Sequence, residues 1–154
     1  MIDRPRTDAG FLEAAARIIF MGGLNRRVVD GKWPGFREAF YDFDPAKVAA
    51  MTTADVDRLT EDDRVIRYRA KLQAVVDNAE AMEALAASHG TFAAYVDSLV
   101  AGGVAPASRA LAKEFAYISE EGARNWLYST GYDVGPVTDK IRMKYAPYEA
   151  PDAA

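Results

Sequence analysis

Three features of the sequence predict an all-α domain. Alanine recurs throughout and runs of β-branched residues are few, a composition that favours helix. Apolar residues return at steps of three, four and seven over most of the chain. No stretch alternates apolar and polar residues as a half-buried strand does. Short helices joined by tight turns give an irregular, orthogonal helical architecture.

The elements follow in order. Thr7 or Asp8 caps a first helix carrying Phe11, Leu12, Ala15, Ile18 and Ile19, and Gly22-Gly23 ends it. A short helix is predicted from Asn25 to Asp30, broken by Gly31-Lys32-Trp33-Pro34. Pro34 then suits the first turn of a helix that turns Phe36, Ala39 and Phe40 inward. Asp44-Pro45 is another start, leading into Val48 and Met51. Thr52 or Thr53 caps a short helix with Val56 and Leu59. The longest helix is predicted over Arg64 to Ser88, with Gly90 as its stop. Thr91 caps the next, which holds Phe92, Tyr95, Leu99 and Val100 and closes at Gly102-Gly103. Ser108 opens a helix with Leu111 and Phe115. Ser119, followed by Glu120 and Glu121, starts a last long helix with Ala123, Trp126 and Leu127, ending at Gly131; acidic residues in a first turn complement the helix dipole. Residues 1–144 read as one domain and 145–154 as a loosely ordered tail with two prolines.

Composition narrows the chemistry. The chain has 154 residues, enough to bury roughly two thirds of its unfolded surface without staples. It has no cysteine and one histidine, His89, so thiolate chemistry and His/Cys metal clusters are excluded. No Asp-rich loop has calcium-binding spacing, and no cofactor is expected. His89, beside Gly90, reads as a helix-end residue. No apolar segment is long enough to span a membrane, and residues 1–10 lack a signal-peptide core, so a cytoplasmic protein is expected. The net charge of −4 counts against tight non-specific binding to nucleic acid, though a local basic patch is compatible with it.

Two blocks are specific in combination. Residues 40–51 (FYDFDPAKVAAM) and 65–79 (VIRYRAKLQAVVDNA) resemble the F-x-x-F-D-P-x-K-V-A-x-M and I-I-R-x-x-x-K-I-x-A-x-x-x-N-A segments of the DNA-3-methyladenine glycosylase I family, a branch of the helix–hairpin–helix DNA glycosylases. Gly23-Leu24-Asn25 with Trp33-Pro34-Gly35-Phe36 is similar to that family's G-L-S-W region, and Phe115 to Gly131 to its hairpin and second hairpin helix. The resemblance covers roughly residues 15–133. It implies a helical glycosylase fold that takes damaged duplex DNA, flips an alkylated base into a pocket and hydrolyses its N-glycosidic bond. A catalytically inactive DNA- or protein-binding scaffold of the same fold is the alternative.

The resemblance also assigns positions. An ungapped match places the family's pocket glutamate at Ile18, its base-stacking tryptophan at Arg26 and its hairpin glycine at Ser119; a slip of about one turn brings Glu13 toward the glutamate register. The family's Cys/His zinc site has no counterpart. Asp133, after the second hairpin helix, falls where the wider superfamily carries an aspartate that stabilises positive charge on the sugar, and is the catalytic candidate. Asn25, Arg26 and Arg27 fall where the family lines its base pocket; Arg26 suits a base face or a phosphate better than a cationic base. Trp33, within the aromatic group of Phe36, Phe40, Tyr41 and Phe43, is either a pocket wall or core. Arg64, Arg67, Arg69 and Lys71 form a basic run able to contact the DNA backbone. Tyr117 at the hairpin tip is a candidate wedge, and the amides after Ser119 a phosphate site that Glu120 and Glu121 oppose.

Overall fold

The computed structural model describes residues 7–145. Over that span the chain is helical, with no strand among the described residues. The helices are α1 (Asp8–Met21), α2 (Arg26–Ala39), α3 (Pro45–Ala49), α4 (Thr53–Leu59), α5 (Arg69–His89), α6 (Phe92–Val100), α7 (Val104–Glu114), α8 (Glu120–Ser129) and α9 (Asp139–Tyr145). The predicted tail from 146 onward lies outside the described residues.

Local chemistry sets most of the starts. The side chains of Thr7, Asn25, Asp44, Thr91 and Ser119 each accept a hydrogen bond from a backbone N–H in the turn they cap. Thr52 and Asp55 form a reciprocal capping box at α4. Between α2 and α3 the chain reverses through Tyr41, Asp42 and Phe43, all left-handed with φ of 55°, 54° and 59°. Burial of Phe43 beneath the turn, with no exposed surface left, holds that conformation.

The helices pack around α5, which touches α1, α3, α4 and α6, while α7 pairs with α8 as a hairpin and α8 lies against α1. Two aromatic groups fill the interior. Trp33 stacks on Phe36 and Phe43 with ring centroids 4.8 and 5.5 Å apart. Phe92 and Phe115 pack on Trp126 at 5.7 and 5.1 Å, and the Trp126 indole donates to the Phe11 carbonyl at 3.1 Å, tying α8 to α1.

Four boundaries depart from expectation. α2 runs unbroken through Gly31–Pro34 because its apolar face, Val29, Trp33, Phe36 and Ala39, keeps helical spacing across the proline, whose ring faces solvent. Loss of one helical hydrogen bond there is offset by burial of two aromatic rings. α5 begins at Arg69, not Arg64. Asp62 accepts from both the backbone and the guanidinium of Arg64, fixing a turn, and Gly35 of α2 sits against that turn so closely that a Cβ would lie 2.1 Å from the Arg64 carbonyl oxygen. α7 begins at Val104, not Ser108, with Pro106 in its first turn, where a missing N–H costs nothing. α9 carries no buried residue and so gave no apolar signal; Arg124 anchors the approach to it by donating to the carbonyls of Val134 and Pro136, each at 2.9 Å.

Candidate nucleic-acid interface

The hairpin is held by one side chain. Asn78 of α5, 1 % exposed, donates to the Ala116 carbonyl at 3.1 Å and accepts from the Ala116 N–H at 2.7 Å. This clamp fixes the connection between α7 and α8. Beside it Tyr117 stands out from the surface, 53 % exposed and left-handed at φ 60°. Tyr68, itself half exposed, stands close enough to raise the pKa of the Tyr117 phenol, after burial.

A cleft of about 580 Å³ opens between the hairpin, α1 and α9. Its floor comes from α1 and α8. Ile18, Ile19 and Gly22 share one face of α1, at steps of one and three. Glu121, Gly122 and Asn125 share the facing side of α8. The two helices approach closely: a Cβ on Gly122 would lie 3.5 Å from a methyl of Ile18. Lys71 of α5 and Lys140 and Lys144 of α9 stand around the rim with Tyr117, Ser119, Thr138 and Tyr145. Three lysines face one glutamate, so the cleft is locally basic on a chain of net charge −4.

Lys71 is the most constrained of these cations. Its ammonium donates to the Gly22 carbonyl at 3.0 Å, at the C-terminal end of α1, and lies over the Tyr68 and Phe20 rings at 5.3 and 5.9 Å. Burial, and after it the charge of Lys144, hold its pKa below the ordinary lysine value. Across the cleft, burial and then Glu121 push the Tyr145 phenol upward.

Three of the sequence candidates meet here: Lys71, Tyr117 and Ser119. The others lie elsewhere. Arg69 pairs with Asp57 at 2.9 Å, Arg67 with Asp63 at 3.8 Å and Arg64 with Asp62 at 2.7 Å, so acidic neighbours balance the basic run ahead of Lys71. Asn25 is occupied as the α2 cap. Arg26 bridges α2 to α9, donating to the Met143 carbonyl at 2.9 Å while it lies 3.4 Å from Asp30. Trp33 is 3 % exposed inside its aromatic stack. Asp133 is exposed and outside the cleft lining, where its carboxylate accepts from the Gly135 N–H at 2.9 Å. Of the two acids in the α8 first turn, Glu120 is directed toward Arg109 of α7 at 3.9 Å and Glu121 toward the cleft.

The register of α1 is now fixed by contact. Ile18 lines the cleft, whereas Glu13 is 1 % exposed beneath α2, accepting from Trp33 Nε1 and Arg37 Nε at 2.8 and 2.7 Å. No slip brings Glu13 to the cleft.

The sequence profile of the methyladenine glycosylase family matches residues 13–127, most of the chain. The chain belongs to the methyladenine glycosylase family. The DNA-3-methyladenine glycosylase of Haemophilus influenzae and DNA-3-methyladenine glycosylase 1 of Escherichia coli are each 41% identical to it over 78 residues, 51% of this chain. That stretch spans 42% of the length of either relative. A solved structure of 3-methyladenine DNA glycosylase I from Staphylococcus aureus, described as the structural basis of 3-methyladenine recognition, superposes with a TM-score of 0.74 at 26% identity, covering 82% of this chain and 78% of that one.

The wall that the resemblance assigns to a glutamate is the apolar Ile18. A zinc ion does not fit: there is no cysteine, no three His, Asp or Glu gather among the described residues, and His89 caps α5 through Nδ1 on the Leu85 carbonyl at 2.9 Å. None of the described helices is long and apolar enough to cross a membrane. Sequence reasoning missed Lys140, Lys144 and Asn125 because they lie on an unrecognised helix or on the inner face of a recognised one. The readable signal was the spacing of Glu121, Gly122 and Asn125, which places polar residues on one face of α8.

Proposed function

We propose that this chain binds damaged duplex DNA across the cleft and hydrolyses the N-glycosidic bond of an alkylated base, acting in the cytoplasm as a base-excision repair enzyme. The observation that carries the reading is the cleft itself: a family scaffold places three lysines around a floor that is apolar on its α1 side, at Ile18 and Ile19. Lys71, Lys140 and Lys144 suit phosphates, Tyr117 suits the gap left by an extruded nucleotide, and the floor suits a base.

Bond cleavage at C1′ sends the bonding electrons to the departing base and leaves positive charge on the sugar, which water then attacks. A carboxylate facing the sugar stabilises that charge. Among the described residues, Glu121 is the one carboxylate lining the cleft, and Asp133 is the candidate offered by position after the hairpin. Alkylation weakens the glycosidic bond, so shape and electrostatics carry much of the rate. The apolar Ile18 favours a second reading, a scaffold that binds DNA without cleaving it.

The test is base release from DNA treated with a methylating agent, measured by mass spectrometry of the freed bases. We expect release above the protein-free rate, cut at least tenfold by Glu121→Gln and within twofold of wild type in Asp133→Asn. Loss in Asp133→Asn alone would return the catalytic role to Asp133. DNA binding without release supports the scaffold reading.

A further inference from the structure

Two tyrosines occupy positions that local backbone chemistry favours for other residue types. A helix starts best on a side chain whose oxygen accepts from its first free N–H groups. Thr7, Asn25, Asp44, Thr52, Thr91 and Ser119 do this for α1, α2, α3, α4, α6 and α8. α5, the longest of the described helices, starts from Tyr68, which supplies no such bond. Tyr117 is left-handed at φ 60°, a conformation that suits glycine or asparagine. Neither side chain recovers the cost by burial: Tyr68 is 50 % and Tyr117 53 % exposed.

The two departures from local preference meet at one place. Asn78 of α5 grips the hairpin bend at Ala116, the residue before Tyr117. Tyr68, at the head of α5, stands near the Tyr117 phenol. Lys71, in the first turn of α5, has its ammonium over the Tyr68 ring, 5.3 Å from the centroid, and lines the cleft together with Tyr117. Residues that break a local rule without a packing gain mark functional positions. Exposed rings beside a fixed cation are the parts from which proteins build platforms for unpaired bases: a face for the base and a charge for its phosphate. The three lysines at the same opening make the partner an anionic one.

We propose that Tyr68 is a DNA-contacting residue whose ring stacks on the base orphaned opposite the extruded nucleotide, while Tyr117 fills the gap beside it. The proposal rests on the base-flipping reading above. Extrusion takes the pairing partner away from that base. A ring face offers it a new stacking neighbour whatever its identity, since every base has a π-face. Lys71 covers one face of Tyr68, and the base takes the other.

The test asks whether Tyr68 recognises the orphaned base itself. Full-length protein is titrated by fluorescence anisotropy with two duplexes. One carries a tetrahydrofuran abasic-site analogue opposite adenine. The other carries the analogue at the same position in both strands, so that no base is orphaned. The analogue has no glycosidic bond, so binding is read without cleavage. Wild type is expected to bind the first duplex about tenfold tighter, within the range of base–aromatic stacking. The preference is expected to shrink to about twofold or less in Tyr68→Ser and Tyr68→Ala, and to persist in Tyr68→Phe, which keeps the ring face. Thermal melts establish that each variant folds. Equal wild-type binding of the two duplexes overturns the proposal while leaving the DNA-binding reading in place. A preference that survives Tyr68→Ser and Tyr68→Ala, or that Tyr68→Phe abolishes, does the same. Failure to bind either duplex at low salt overturns both.

Discussion

The indole Nε1 of Trp33 donates to Oε2 of Glu13 at 2.8 Å, joining α2 to α1 inside the protein. The same oxygen accepts from Arg37 Nε at 2.7 Å, so one buried carboxylate holds two side chains of α2. Removing one partner of a buried pair leaves the other charge desolvated without compensation. Glu13→Ala is therefore expected to cost about 3–5 kcal/mol, a large share of the stability of a domain this size. Glu13→Gln keeps an acceptor for the indole and loses the charge, and is expected to cost about half as much. Urea denaturation measures both. Base release per folded molecule should be unaffected by Glu13→Gln, since this side chain faces α2 and not the cleft.

Asn78 gives a second prediction, in which stability and binding fall together. Its amide satisfies both backbone groups of Ala116 at the hairpin bend. Asn78→Ala strands those groups and opens a small void, at an expected cost of about 2–3 kcal/mol. Hydrogen exchange should show the Ala116 amide losing protection before the rest of the core. DNA affinity should fall as well, because Tyr117 and Ser119 are positioned by the bend. Unchanged exchange at Ala116 would mean that the hairpin is held by its packing alone.

How much of this was legible in the sequence depends on how local each cause is. The caps at Thr7, Asp44, Thr52, Thr91 and Ser119 were readable because the capping bond is made within three residues. The break predicted at Gly31–Pro34 failed because periodicity across Val29, Trp33 and Phe36 outweighed a local breaker. The late start of α5 depends on Gly35 meeting Arg64, a contact between distant residues. α9 lacks a buried face, so its two cleft lysines had no pattern to reveal them. The Asn-Ala pair in the second sequence block drew notice as a motif, yet its purpose, the Asn78 clamp, lies 38 residues away at Ala116. The acidic pair after Ser119 divides in a way the sequence does not show: Glu120 lies 3.9 Å from Arg109 of α7, while Glu121 lines the cleft.

Tyr117 carries a third prediction. A tyrosine at φ 60° is strained, and this one sits exposed at the hairpin tip, where packing gains little from it. Glycine adopts that conformation freely. Tyr117→Gly is expected to raise the unfolding midpoint by roughly 2 °C and to weaken binding to duplex DNA severalfold. The opposed signs separate a side chain kept for contact with DNA from one kept for folding. A midpoint that falls in Tyr117→Gly would show that the contacts of the tyrosine side chain matter more than the strain.

Lys71 allows the electrostatics to be tested by salt and by pH together. If the cleft lysines contact phosphates, each releases a condensed counterion on binding. The slope of log affinity against log salt should then fall by roughly one unit when Lys71, Lys140 or Lys144 is replaced by glutamine. The arginines of the basic run predict differently: Arg67→Gln and Arg69→Gln remove cations already balanced by Asp63 and Asp57, and should leave the slope nearly unchanged. The pH dependence has a definite sign. Burial first, and Lys144 second, lower the Lys71 pKa, so its charged form is the disfavoured one in the free protein. Phosphate favours the charged form. The contribution of Lys71 to binding is thus complete while it is protonated and is lost as pH rises through its lowered pKa, earlier than for a fully solvated lysine. Lys71→Arg keeps its charge throughout that range and should extend tight binding to higher pH. Anisotropy titrations from neutral to alkaline pH decide the matter: parallel curves for wild type and Lys71→Arg would remove Lys71 from the interface.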